Sequence, residues 1–469
     1  MNKKILINLF LYSFLINSCM RVDTNPDLDF QKIKKDIAES TSHSPYWDKS
    51  LNNTIAESSS EKLFKKELDV NLAVQIALLN NAHLQAIYEN LGIAKAKYAQ
   101  AGLLKNPIFS LIYRFSTKTK ISDLIDIDLM QNFLEMLLIP LKKKVSGNEL
   151  DATINMVKAE ILDIIAQTKI VFYSLAAENQ ILKLKKTMLL AEELSYEVAQ
   201  RLFKAGNIKE LDLEIKRSSY EQLKLEVASQ EIIILENKEK LNILMGLWGK
   251  NIDWSYLSTL PRIAQKEESL NNVENEAIAK SLELKIAYKN LLATASRLGL
   301  DTTKIIFPQF NAGISSERDE GIWYVGPSIN FALPLFDIGK AYSSFANAKI
   351  ASLWKEYTAL AIDIRSQARS ARFILLNAYR QSKYLSEIIV PLAEKVTYDS
   401  FLQLNAMQIG VFDLLQAKQK EIEKKIHSVK MIKEYWIAKT KIELLLQGHM
   451  IEQKVYKINS EILFNKDSL

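Results

Sequence analysis

Leu190 to Glu197 reads LAEELSYE, and Leu392 to Asp399 reads LAEKVTYD. Each copy is followed by a lone glycine in a short break, Gly206 and Gly410. Upstream, a helical stretch twice runs into a proline and a strand-like segment, in LLKNPIFSLIYRF with Pro107 and in KIIFPQFNAGISS with Pro308. A second strand-like segment ends in Pro-Leu both times, at Pro140-Leu141 and Pro334-Leu335. An internal duplication constrains the fold more than any single motif, because each copy must form the same units. The order in each half is helix, strand, strand, long helix, tip, long helix.

Only 13 Gly and 9 Pro punctuate 469 residues, so the elements between them are long. In a first repeat, 67–262, the pattern predicts strands over 108–117 and 124–135 and helices over 145–203 and 209–245. In a second, 263–448, it predicts strands over 309–317 and 322–332 and helices over 341–408 and 413–446. At ~1.5 Å per residue a helix of about 60 residues is ~90 Å long, three times a bilayer core. Leu415, Ile422, Val429 and Trp436 recur every seven residues, the spacing of a coiled-coil seam, and Pro391 should kink the third long helix without ending it. This periodicity alone is equally that of any antiparallel coiled coil.

The strand-like segments narrow the choice. Phe109, Leu111, Tyr113 and Phe115 alternate with polar residues, as do Ile125, Ile127 and Leu129, then Phe310, Ala312 and Ile314, then Trp323, Val325, Ile329 and Phe331. Segments of ~9 to 11 residues with one oily face suit tilted membrane strands. Two soluble surface hairpins would show the same alternation. Four strands cannot close a membrane barrel, so several copies must contribute if lipid is their environment. Tyr113, Phe115, Trp323 and Tyr324 suit an interfacial girdle.

Lys3 and Lys4 precede an apolar run from Ile5 to Ile16, the layout of a secretory signal over 1–18. The run ends in Ile16-Asn17-Ser18-Cys19, which resembles a bacterial lipobox and makes Cys19 the expected lipidation site; an ordinary signal that happens to hold a cysteine is the alternative. Polar residues dominate 19–66, expected to be a tether with His43, Ser44, Pro45 and Trp47 as its compact spot; 449–469 forms a tail. The formal charge of +6 is dispersed, which argues against nucleic acid. Four scattered His and a single Cys exclude a His/Cys zinc cage and an intrachain disulfide, and no Gly-x-Ser-x-Gly or His-Glu-x-x-His occurs, so neither an enzyme nor a cofactor is expected.

These features together resemble the TolC-like outer-membrane efflux family from about Leu68 to Gly448. The similarity lies in the opening helix AVQIALLNNAHLQAIYENLGIAKAKYAQAGLLKNP, in Pro334-Leu335-Phe336-Asp337-Ile338-Gly339-Lys340, and in two helix tips, Arg201 to Gly206 and Gln408 to Ala417. The resemblance implies a mainly α fold with membrane β: a homotrimer whose twelve-stranded outer-membrane barrel, four strands per chain, continues into a periplasmic helical barrel. It implies passive conduction from an inner-membrane pump, expected to be proton-driven, through a periplasmic adaptor protein. The other expectations are a type I protein-secretion channel and a non-conducting coiled-coil lipoprotein.

The resemblance also implies roles for particular residues. Asp413 falls where an acidic ring narrows the pore, with Gln416 at the position of a second acid; the plain alternative for Asp413 is a helix N-cap. Gly206 and Gly410 are expected to end helices in the left-handed conformation and, with Lys204, Asn207, Val411 and Phe412, to face the adaptor. Asp212 reads as a solvated helix-start residue. Arg365, Arg369 and Arg372 share a helical face, either as an ion-paired stripe or as a tunnel lining, and His427 and His449 read as structural.

Overall fold

The computed structural model describes residues 22–49, 67–117 and 122–451. Cys19, the signal segment and nearly all of the 449–469 tail lie outside the described residues. In chain order the helices and strands are α1 (Asp27–Thr41), α2 (Val70–Asn80), α3 (Ala82–Ala101), β1 (Ile108–Arg114), β2 (Leu124–Asn132), α4 (Phe133–Leu137), α5 (Ile139–Lys204) and α6 (Glu210–Leu244). They continue with α7 (Val273–Lys280), α8 (Leu282–Ile306), β3 (Phe310–Asp319), β4 (Ile322–Phe331), α9 (Lys340–Tyr384), α10 (Val390–Asn405) and α11 (Val411–Gln447).

Two compact units result: one from the residues up to Lys32, Glu89–Ile154 and Ile286–Lys355, the other from Ile33–Tyr88, Asn155–Lys285 and Glu356 onward. Neither coincides with a sequence repeat, since each takes segments from both. The first holds a sheet of order β1-β2-β3-β4, antiparallel throughout, so β2 and β3 pair across the repeats. Glu320 and Gly321, both at positive φ, form the two-residue turn between β3 and β4.

The second unit has two clusters of equivalent composition. Ile76, Ala77, Ile164, Leu175, Leu241 and Met245 join α2, α5 and α6, whereas Ala277, Ile364, Leu375, Tyr435, Ile442 and Leu445 join α7, α9 and α11. Each cluster closes with a glycine at a helix end. Gly246 and Gly448 have φ of 63° and 106°, and a Cβ there would stand 2.3 Å from the Asn80 carbonyl oxygen and 2.4 Å from that of Lys280. The two helix joints that these glycines meet are built alike: Asn81 Oδ1 accepts from Leu84 N at 2.9 Å, and Ser281 Oγ from Leu284 N at 3.1 Å.

Several expectations need correction. Residues 27–41, read as tether, are helical, because Phe30, Ile33 and Ile37 recur at three and four residues and are buried; Trp47 is buried too, and Gln85 holds Asp48 N at 2.9 Å. The strand expected over 124–135 stops at Asn132, whose side chain accepts from Glu135 N at 3.0 Å and starts α4. Pro140 consequently begins α5 instead of ending a strand, a position where its missing N–H costs nothing. The buried line of α11 runs through Glu421, Ser428, Tyr435 and Ile442, one residue before the expected seam, which stays half-buried except at Ile422. Trp436 is drawn aside because its indole N–H donates to Pro261 O at 3.0 Å. At Pro391 the helix continues through a π-turn, Leu385–Ile389, where Val390 N bonds Leu385 O; the widened turn accommodates the ring and missing donor.

Candidate functional site

The register of the sheet sorts its side chains by polarity. Directly opposite residues share a face, and the ladders place Tyr113, Ile125, Arg318 and Trp323 in one row, Leu111, Ile127, Ser316 and Val325 in the next, and Phe109, Leu129, Ile314 and Pro327 in a third. Ala312 and Ile329, then Phe310 and Phe331, extend the same face. The opposite face carries Ser110, Asp126, Asp128, Ser315, Glu317, Ser328 and Asn330, with Ile108, Ile112, Met130 and Tyr324 among them. The oily face is exposed: Phe109 is 65% accessible, Val325 69% and Ile329 64%. In a soluble protein such a face is packed against another layer. The four oily runs read in the sequence therefore meet on one surface.

At the base of the sheet the chain segments converge on one buried carboxylate. Glu135 pairs with Lys142, with Lys304 at 3.1 Å and with Lys105 at 3.3 Å, gathering the entry to β1, the exit from β2 and the approach to β3. Burial opposes its charge, but the bonds and charges of Lys142 and Lys304 prevail and hold the carboxyl down at about 2. Nothing in the sequence pattern marked this residue.

The two helix tips in the other unit are structural copies. After α5, Asn207 N bonds Leu202 O at 2.8 Å and Gly206 N bonds Phe203 O at 2.9 Å; after α10, Gln408 N bonds Gln403 O and Met407 N bonds Leu404 O, both at 2.9 Å. The left-handed residue is Gly206 in one tip, with φ 74°, and Met407 in the other, with φ 60°. Gly410 is thus no left-handed cap. Its φ is −83° and it is the N-cap of α11, as Lys209 is of α6. The equivalence runs Ala205-Gly206 with Ala406-Met407, and aligning those dipeptides would have found it.

Asp413 stands third in α11, where its Oδ2 accepts from Gly410 N at 2.9 Å; Asp212 has the same place in α6, 3.4 Å from Lys209 N. Asp413 is therefore a capping-box residue and not the N-cap itself. Asp413 and Gln416 are both exposed, one turn apart. Lys204, Gly206 and Asn207 are exposed, and Met407 is 94% accessible. Val411 and Phe412, expected to be exposed, are half-buried, and Lys216 Nζ lies 4.9 Å over the Phe412 ring, which joins the two tips.

Arg369 pairs with Glu274 at 2.8 Å. His449 is buried with Nδ1 2.6 Å from Glu283 Oε1, and among the described residues no group of three or more His, Cys, Asp or Glu is arranged for a metal ion. Among them, too, no helix is long and apolar enough to cross a membrane.

No protein-family model and no curated protein matches this sequence. Solved structures do match in fold. The outer-membrane channel CmeC of Campylobacter jejuni superposes with a TM-score of 0.70 at 14% identity, over 86% of this chain and 89% of that one. CusC, studied for the conformational changes that accompany folding and transmembrane channel formation, gives 0.65 at 14% identity over 81% and 92%. The outer membrane protein VceC of Vibrio cholerae gives 0.64 at 14% identity over 81% and 96%. At these identities the likeness is one of fold.

Proposed function

We propose that this chain is one subunit of a TolC-like outer-membrane channel. The observation that carries the reading is the sheet register, which brings the alternating apolar runs of four strands onto one exposed face while β1 and β4 keep free edges among the described residues. Lipid satisfies the face, but it cannot satisfy backbone groups on an edge, so each edge must pair with another copy. Three copies give the twelve-stranded closure that the family resemblance implies, with the two repeats, 67–262 and 263–448, each supplying one hairpin.

Function follows as passive conduction: an inner-membrane pump, expected to be proton-driven, delivers substrate through an adaptor protein docked on the tips. The exposed tip residues Lys204, Gly206, Asn207 and Met407 are the candidate contacts, with Gly410, Val411 and Phe412 setting the shape beside them. Asp413 and Gln416 line the periplasmic constriction in this scheme. Cys19 carries the lipid that holds the N-terminus to the outer membrane. No catalytic residue is required.

The deciding experiment is purification from the outer membrane followed by mass measurement and planar-bilayer recording. Trimers that form discrete, reproducible pores are the expected result. A monomer, or an oligomer without conductance, would instead identify a coiled-coil spacer.

A further inference from the structure

Three arginines of α9 face a cleft that conduction does not use. Arg365, Arg369 and Arg372, with Ala368 and Phe373, form one wall of a space of about 330 Å³; the segment Leu270–Asn275, which includes the first turn of α7, forms the other. Glu274 is the only acid among the lining residues, and Arg369 already engages it at 2.8 Å. Among the described residues neither Arg365 nor Arg372 has an ion-pair partner, and Arg372 Nε is shielded from solvent with no hydrogen-bond partner. A buried donor without a partner is destabilising, more so when it is charged.

Guanidinium groups cannot shed their charge by deprotonating, so the cleft keeps an excess of positive charge at every physiological pH. At the start of α7 Asn272 makes no side-chain cap, so its hydrogen-bonding capacity at the first-turn amides is unused, while Glu274 and Glu276 in that turn offset part of the helix's positive end.

We propose that this cleft binds a phosphate group, either free or on a headgroup. A phosphate carries more acceptor oxygens than a carboxylate, arranged tetrahedrally and with up to two charges, so it can engage two guanidinium forks and the helix-start amides from different directions, whereas the two oxygens of a carboxylate lie in one plane. The Arg372 Nε donor then gains its missing acceptor. The arginine stripe is thus neither a fully ion-paired surface nor a mere lining; one member is paired and two are available.

The test uses the full-length protein in detergent at low ionic strength, with inorganic phosphate titrated calorimetrically in one arm and phosphatidic acid carried in the same detergent micelles in a second arm. Saturable binding is expected in at least one arm, weakened roughly tenfold or more in the Arg365→Gln/Arg372→Gln double variant. Glu274→Gln, which releases Arg369 and removes the competing carboxylate, should bind several times more tightly, a sign opposite to that of a merely structural ion pair. Lys383→Gln, outside the cleft, should bind like wild type, and unliganded melting temperatures verify that all variants fold. Binding of phosphate alone assigns a soluble ligand, and variant-sensitive binding of phosphatidic acid alone assigns a headgroup. No saturable binding in either arm, or equal binding by wild type and double variant, overturns the proposal.

Discussion

Gly246 and Gly448 hold equivalent posts in the two repeats, each with a neighbouring backbone carbonyl where a side chain would begin. Gly448→Ala combines positive-φ strain with a backbone clash and should destabilise by about 2 to 4 kcal/mol. Gly92→Ala, inside α3 with nothing within 4 Å of its Cβ, should stabilise by up to about 1 kcal/mol. Thermal unfolding of both variants measures the difference. His449 supplies a pH test. Burial works against its charge, but the bond and charge of Glu283, with Asp163 and Glu160 behind it, raise its pKa above 6.5. Its contribution to stability is therefore full below pH 6.5 and lost as pH rises through the folded value. Melting curves from pH 6 to 9 should show that loss in the wild type, and Glu283→Gln should flatten it. The glycines were legible in principle, since each follows the last periodic residue of a helix; the His449–Glu283 pair, joining residues far apart in sequence, was not.

At the scale of elements, the four strands behave as their alternation requires. Val325 lies on the oily face and Ser328 on the polar one. An arginine on a lipid-facing position costs about 2 to 4 kcal/mol near mid-bilayer, so Val325→Arg should deplete assembled protein in outer-membrane fractions while Ser328→Arg leaves the amount near wild type. Equal depletion by the two variants would contradict the assignment of faces. The seam of the last long helix was read from periodicity with the correct period but the wrong line. In α11 the chain buries Glu421 beside Lys418 and Lys425 and leaves Trp436 half-buried, because a carboxylate with two ammonium partners can enter a packed seam and an indole committed to a distant carbonyl cannot centre there.

For the whole molecule the informative residue is Asp413, whose observed capping is separable from the gating proposed for it. It caps α11 through Gly410, and in the proposed trimer three copies of its charge approach one another. Asp413→Asn keeps an acceptor oxygen and removes the charge. If the ring constricts the pore, single-channel conductance rises in Asp413→Asn with little change in melting temperature. If capping is its sole task, conductance stays at the wild-type level, and Asp413→Ala loses about 1 kcal/mol of stability.

Local rules reached the repeat, the long helices and the polarity of each strand, because hydrogen bonding along a helix and alternation along a strand are settled by neighbours in the chain. Tertiary structure alone decided that β2 and β3 pair across the repeats, that Glu135 gathers three lysines from separate segments, and that Met407 takes the conformation Gly206 has in the other tip. Those outcomes depend on which distant backbone or charge arrives at a given point, and no periodicity within one segment records that encounter.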